Sequence, residues 1–311
     1  MHRRSLLKTI ATIAASTGLV AASKANEQSN GSPLTPAGKK PQGKQFIEAA
    51  DGTSLFFRDW GAGAPIVFLS SLGSSSLQWQ YSTVPLSSYG FRCIAYDRRS
   101  HGRSSDPGRG YDYDTLAGDL AAVLDQLDLR GVTLVTHSMS GGEAVRYLTL
   151  YGSSRVARLV LIAPTLPYIL KTPDNPDGID RSALDDLRAL WRTDYPKWVT
   201  DNLRPIFTPE TSDAMVQWGV GMLIHTSLKA ILDCHHSLTD TDFRAELPQI
   251  KVPTLIVHGD KDVNAQIDFN GRRTATLIPG CVFKVYEGAA HGLFITHADR
   301  FNKDLTTFVT T

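Results

Sequence analysis

Apolar runs of strand length punctuate the chain at residues 45–49, 54–60, 66–70, 92–96, 132–136, 159–162, 254–258 and 282–286. From residue 66 onward they alternate with helical periodicity, most clearly over 115–127, 143–151 and 300–308. Strands alternating with helices predict a mainly parallel sheet with helices on both faces. The first two runs flank Asp51-Gly52-Thr53, a hairpin signal, so an antiparallel pair is expected to lead into that sheet. Between residue 164 and about 239 the alternation stops and helical periodicity takes over, interrupted by the Pro/Asp-rich loop 172–178. Placed between two core strands, this stretch is expected to be a helical cap at about 165–239. Its aromatics Trp191, Tyr195, Trp198, Phe207 and Trp218 are expected to pack the cap, and are also placed to line a pocket.

The 311 residues are 42% apolar and 20% charged, with a formal net charge of +1 and no long basic stripe, which argues against a nucleic-acid partner. Three cysteines, Cys93, Cys234 and Cys281, fit no metal spacing and cannot all pair within one chain. Cys93 lies in an apolar run and reads as a small buried hydrophobe. The N-terminus changes the picture. His2-Arg3-Arg4-Ser5-Leu6-Leu7-Lys8 resembles a twin-arginine export signature, followed by a mildly apolar stretch over 9–22 and the small-residue site Ser23-Lys24-Ala25. Residues 1–25 are therefore expected to be a cleaved signal handled by the twin-arginine machinery, and the protein to be periplasmic or secreted. Residues 26–43, rich in Ser, Asn, Gly, Pro and Lys, read as a flexible linker, and 44–311 as the folded domain with its cap.

The run at 132–136 breaks into Thr136-His137-Ser138-Met139-Ser140-Gly141-Gly142 and then into helical periodicity. A sharp strand–turn–helix exposes a serine when the residues two before and two after it are small. Thr136 and Ser140 are bulkier than the usual glycines. Ser138 is the expected nucleophile because it directly follows the strand; Ser140 satisfies a similar frame and is the competitor. A serine hydroxyl needs a base, and that base needs an orienting acid. Of the nine histidines, His291 sits just past the last strand run and before the final helix, where α/β folds place chemistry. Asp262 follows the preceding run and is the expected orienter. Asp260 reads as a turn residue, His297 as opening the last helix, and His137 as a neighbour at the turn. His235 and His236 lie in the cap with no paired acid evident. The oxyanion of a tetrahedral intermediate needs preorganised N–H donors, expected here from Met139 and from Leu72 in the loop after 66–70.

Together these stretches resemble the α/β-hydrolase superfamily, in which the triad runs in the order Ser138, Asp262, His291. Within it the chain is similar to the cofactor-free (non-haem) haloperoxidase, perhydrolase and esterase group. The matching segments include Tyr96-Asp97-Arg98-Arg99-Ser100-His101-Gly102-Arg103-Ser104-Ser105, 138–147, 171–178, Thr239-Asp240-Thr241-Asp242-Phe243-Arg244, 252–262 and 286–297. The 70–73 loop followed by Trp79 is also similar to that of enol-lactone hydrolases. The resemblance implies an α/β-hydrolase fold with a mostly parallel eight-stranded sheet and a helical cap. It also implies a serine hydrolase that cleaves a small-molecule ester or lactone without cofactor or metal, and whose acyl-enzyme is open to hydrogen peroxide. Ser100, Thr136 and Ser140 stand where the family usually has glycine. The alternative is a ligand-binding protein on the same fold with a weak triad, which the bulky elbow favours and the complete Ser–Asp–His set opposes. A haloalkane dehalogenase or epoxide hydrolase is disfavoured, because those enzymes carry a carboxylate where Ser138 stands.

Overall fold

The computed structural model describes residues 45–311; the leader and linker expected over 1–43 lie outside them. Eight strands form one sheet in the order β1-β2-β4-β3-β5-β6-β7-β8. They are β1 (Phe46–Glu48), β2 (Ser54–Gly61), β3 (Pro65–Leu69), β4 (Arg92–Tyr96), β5 (Val132–His137), β6 (Val156–Ile162), β7 (Thr254–Gly259) and β8 (Val282–Tyr286). β1 pairs antiparallel with β2, β2 antiparallel with β4, and every later pairing is parallel.

The burial pattern explains why the strands read as continuous apolar runs. β3, β4, β5 and β7 are buried at every position, as strands covered on both faces must be. Alternate residues serve opposite layers. Val67, Leu69, Leu134 and Leu161 face α2 (Tyr113–Gln126) and α3 (Ser140–Tyr151). Ile66, Phe68, Val135 and Val160 face α1 (Gln80–Ser88), together with Phe294 and Phe301 of the C-terminal helices. Edge strand β8 is only partly covered, and Val282 is exposed.

Three helices stand between β6 and β7: α4 (Arg181–Asn202), α5 (Asp213–Ile224) and α6 (Leu228–Asp240). The stretch before α4 is irregular, held by isolated bridges between Leu170 and Ile179 and between Thr172 and Asn175. α4 is broken at Asp194, whose backbone leaves the helical region (φ −158°, ψ 79°) two residues before Pro196. Proline cannot donate to the helical ladder and clashes with the preceding turn. Asp194 restarts the helix by accepting the Lys197 N–H at 3.0 Å. The cap has its own apolar cluster, built on Trp191, Tyr195, Val199, Phe207, Val220 and Ile231. The chain continues through α7 (Gly271–Leu277), α8 (Leu293–Thr296) and α9 (Ala298–Thr310). All three cysteines are free, and Cys93 is buried in the sheet.

Candidate active site

Two residues, Ser138 and Met139, join the end of β5 to the start of α3, and the first is left-handed: Ser138 has φ 58°. A non-glycine residue held there costs of order 1–3 kcal/mol, so the surroundings must enforce it. Ser138 N–H donates to Ile162 O of β6 at 3.0 Å, and Ser138 O accepts from Gly141 N–H at 3.1 Å. Gly142 is required by packing, since a Cβ there would lie 2.6 Å from the Tyr113 ring. The bulk at Thr136 and Ser140 is absorbed by hydrogen bonds. Thr136 Oγ1 donates to Val160 O at 3.1 Å. Ser140 Oγ sits 2.9 Å from Leu69 O and 3.0 Å from His137 O, and accepts the His137 N–H at 2.9 Å. Fully buried and fully engaged, Ser140 is a bracket for the turn. Ser100, φ 62°, is likewise tied down, its Oγ lying 2.6 Å from Asp106 Oδ1 and 2.7 Å from Tyr111 OH.

Asp262 follows β7, and its two oxygens have separate tasks. Oδ1 accepts the N–H groups of Asn264 (2.9 Å) and Ala265 (2.8 Å), which fixes the carboxylate plane. Oδ2 faces His291 Nδ1 at 2.7 Å and His258 Nε2 at 3.2 Å. Burial opposes the charge, yet His291, the His258 hydrogen bond and the Ala265 N–H hold this carboxyl far below the usual range. Asp262 is therefore an acceptor, His291 Nδ1 carries the proton, and the Nε2 lone pair is free to act as a base.

His258 lies within the apolar run 254–258 and carries no sequence signal of a site residue. Its Nε2 also lies 2.7 Å from Ala265 O, and Gly271 packs against its ring so closely that a Cβ would come within 2.3 Å of Nδ1. His137 Nε2 lies 3.1 Å from His291 O, and its ring sits 4.5 Å from the His291 ring. Burial and the neighbouring His291 keep His137 neutral, with its pKa well below the ordinary value. It donates to the backbone of the candidate base and so helps to place it. Asp260 accepts the Gly288 N–H at 2.7 Å and pins the loop leading to His291. His297 precedes α9 but makes no capping bond; its Nδ1 pairs with Thr296 Oγ1 at 2.9 Å.

Ser138 and His291 line one cavity of about 390 Å³ beneath the cap. Ser138 Oγ itself has no hydrogen-bond partner among the described residues. The Ser–His link in unliganded sites is often open and tightens with substrate. Trp191, Tyr195, Trp198 and Phe207 form part of the cavity wall, whereas Trp218 packs outside it against Tyr81.

The candidate oxyanion donors differ from their neighbours in one respect: they are unspent. Ser71 N–H is directed at Gln78 Oε1 (3.4 Å) and Gly73 N–H donates to His101 Nε2 (3.2 Å), but Leu72 N–H has no acceptor among the described residues. The same is true of Met139 N–H, at the positive end of α3. Arg98 ties the two sides together. Its guanidinium donates to Ser70 O (2.6 Å) and Ser71 O (3.1 Å) and pairs with Glu143 in the first turn of α3. His101 is kept neutral by burial and by Arg98, its pKa pushed down to about 3. Neither Arg98 nor His101 carries a sequence signal beyond its place in the 96–105 motif. Among the described residues no group of three or more His, Cys, Asp or Glu is placed to hold a metal ion.

Residues 64–298 match the family model for the alpha/beta hydrolase fold. A non-heme chloroperoxidase of Kitasatospora aureofaciens is 37% identical over 83% of this chain and 97% of its own. The bifunctional esterase/perhydrolase of Acinetobacter calcoaceticus is 34% identical over 85% of this chain and 99% of its own. A solved esterase from Exiguobacterium antarcticum superposes with a TM-score of 0.83 at 32% identity, covering 86% of this chain and 99% of that one. The chain therefore belongs to the α/β-hydrolase family, and within it is similar to the non-haem haloperoxidases, perhydrolases and esterases.

Proposed function

We propose that the protein is an exported serine hydrolase that cleaves a small carboxylic ester or lactone through an acyl-enzyme on Ser138. One observation carries the reading: His291, closed onto Asp262 at 2.7 Å, shares a cavity with a serine at φ 58° and with Leu72, whose backbone N–H, like that of Met139 next to the serine, has no acceptor among the described residues. Ser138 Oγ attacks the carbonyl carbon while His291 Nε2 takes its proton. Leu72 and Met139 N–H groups hold the oxyanion that forms. His291 returns the proton to the departing alkoxide, or to the ring oxygen of a lactone, leaving an acyl-enzyme and a neutral imidazole. Water, deprotonated by the same nitrogen, releases the acid.

Hydrogen peroxide in place of water releases a peracid, which oxidises halide away from the protein. That route accounts for a chloroperoxidase and an esterase/perhydrolase among the relatives, and no residue here is asked to bind a cofactor for it. The leader at residues 1–25, the periplasmic or secreted location and the linker at 26–43 belong to the same proposal and rest on sequence alone.

Replacing Ser138 by Ala is expected to lower kcat on p-nitrophenyl acetate by several orders of magnitude, about 10⁶-fold in a dismantled triad elsewhere. Undiminished turnover by the folded variant rejects the assignment. Acetate plus peroxide against a lactone, on the wild-type protein, separates perhydrolysis from lactone opening.

A further inference from the structure

Helix α4 carries a cation into the cap: Arg188 is completely buried. Burying a guanidinium costs several kcal/mol unless its donors are satisfied. Its carboxylate partner, Asp185 at 2.6 Å, is 56% exposed, so Arg188 is not there to neutralise a buried acid. Its other arm meets a histidine instead, with Arg188 NH1 lying 2.9 Å from His235 Nδ1 of α6. A guanidinium can only donate. His235 Nδ1 is therefore the lone pair, and the ring proton sits on Nε2.

Burial, and then the Arg188 charge, push the His235 pKa down to about 3, so this neutral tautomer persists across the neutral range. The Trp191 ring, 4.7 Å away and edge-on, holds the imidazole in place. His235 lines the same cavity as Ser138 and His291, and its Nε2–H has no partner among the described residues. The cap walls around it are mainly aromatic and aliphatic. A fixed, unspent donor in such a wall has a definite chemical preference. An alkyl chain against it leaves the N–H desolvated and unpaired, whereas an oxygen acceptor satisfies it without any rearrangement.

We propose that His235 is a specificity-determining residue whose Nε2–H donates to a second carbonyl-type oxygen of the substrate, keto or carboxylate, remote from the scissile carbonyl. The proposal rests on the serine-hydrolase reading and adds the substrate class to it: esters or lactones whose acyl part carries a further oxygen acceptor. Arg188 acts through His235, as the positioning residue that selects its tautomer.

The test uses p-nitrophenyl hexanoate, its 4-oxo and 5-oxo analogues, and mono-p-nitrophenyl adipate, and reads the ratio of kcat/KM for each oxygenated ester to the plain one. In the wild-type protein that ratio is expected to reach about tenfold for at least one probe. The oxo and carboxylate arms tell which oxygen is preferred. His235→Asn keeps an acceptor for Arg188 but no donor at the Nε2 position, and should bring the ratio to about one. His235→Phe should do the same, and His235→Gln, whose amide N–H reaches further, should restore much of it. A merely structural histidine would alter all esters alike and leave the ratio unmoved.

A wild-type ratio near one for every probe, or a ratio unchanged in His235→Asn, overturns the proposal. Fluorophosphonate labelling of Ser138 is run beside it. Labelling without discrimination rejects this inference alone, and absence of labelling in the folded wild-type protein rejects the hydrolase reading and this inference with it.

Discussion

Asp262→Asn isolates the tautomer argument. Oδ1 of the residue must remain an oxygen, because it accepts two backbone N–H groups at 2.9 and 2.8 Å. The new amide NH2 is then forced into the Oδ2 position, where it faces the N–H of His291 (2.7 Å) and of His258 (3.2 Å). Donor meets donor. His258 keeps its bond to Ala265 O at 2.7 Å and need not respond. His291 can avoid the clash by moving its proton to Nε2, but that removes the lone pair required by Ser138. A triad in the wrong tautomer loses about 10⁴ in kcat, or about 5 kcal/mol of barrier. The fold should survive with a melting temperature lowered by only a few degrees, since the Oδ1 bonds are retained. Stopped-time assays with p-nitrophenyl acetate, beside circular dichroism melts, measure both. A folded Asp262→Asn protein within tenfold of wild-type kcat would refute the tautomer argument.

Arg98→Met should lower kcat by about 10²-fold on a folded sample, the loss typical of one oxyanion donor, and should lower urea stability by roughly 3–5 kcal/mol by stranding Glu143; unchanged kcat would separate Arg98 from the Leu72 loop. Ser140→Ala should cost about 1–3 kcal/mol of stability through the unpaired backbone groups it leaves, yet retain labelling at Ser138; abolished labelling without unfolding would restore Ser140 as the competing nucleophile. His101, His137 and His235 are all held neutral by burial. The unfolded chain therefore takes up protons that the fold excludes, and stability is lost as pH falls below about 6.5, by roughly 4 kcal/mol for the three between pH 7.5 and 5.5. Urea titrations at the two pH values check this, and equal midpoints would contradict it.

The strands were legible in the sequence because a sheet covered on both faces needs unbroken apolar runs, and β3, β4, β5 and β7 are buried end to end. Helix α1 was not, since Gln80–Ser88 has little apolar periodicity and holds Pro85; tertiary packing through Leu86 supplies what local pattern lacks. The order of Ser138, Asp262 and His291 was readable from the ends of strands. What surrounds them was not. His258 reads as a strand residue because its contact with Asp262 depends on a carboxylate brought back by the turn after it. His235 has no paired acid in the sequence pattern because its partner is a cation, Arg188. The bulky elbow looked like a defect because sequence shows the size of Thr136 and Ser140 but not the carbonyls of Val160 and Leu69 that take their hydroxyls.

The most direct measurement is peptide mapping by mass spectrometry after treating the folded protein with a fluorophosphonate, which reacts with serines activated by a base. The account predicts one adduct, on the peptide carrying Ser138, lost in Ser138→Ala and nearly lost in Asp262→Asn. A folded protein without an adduct, or with the adduct on another serine, would contradict it.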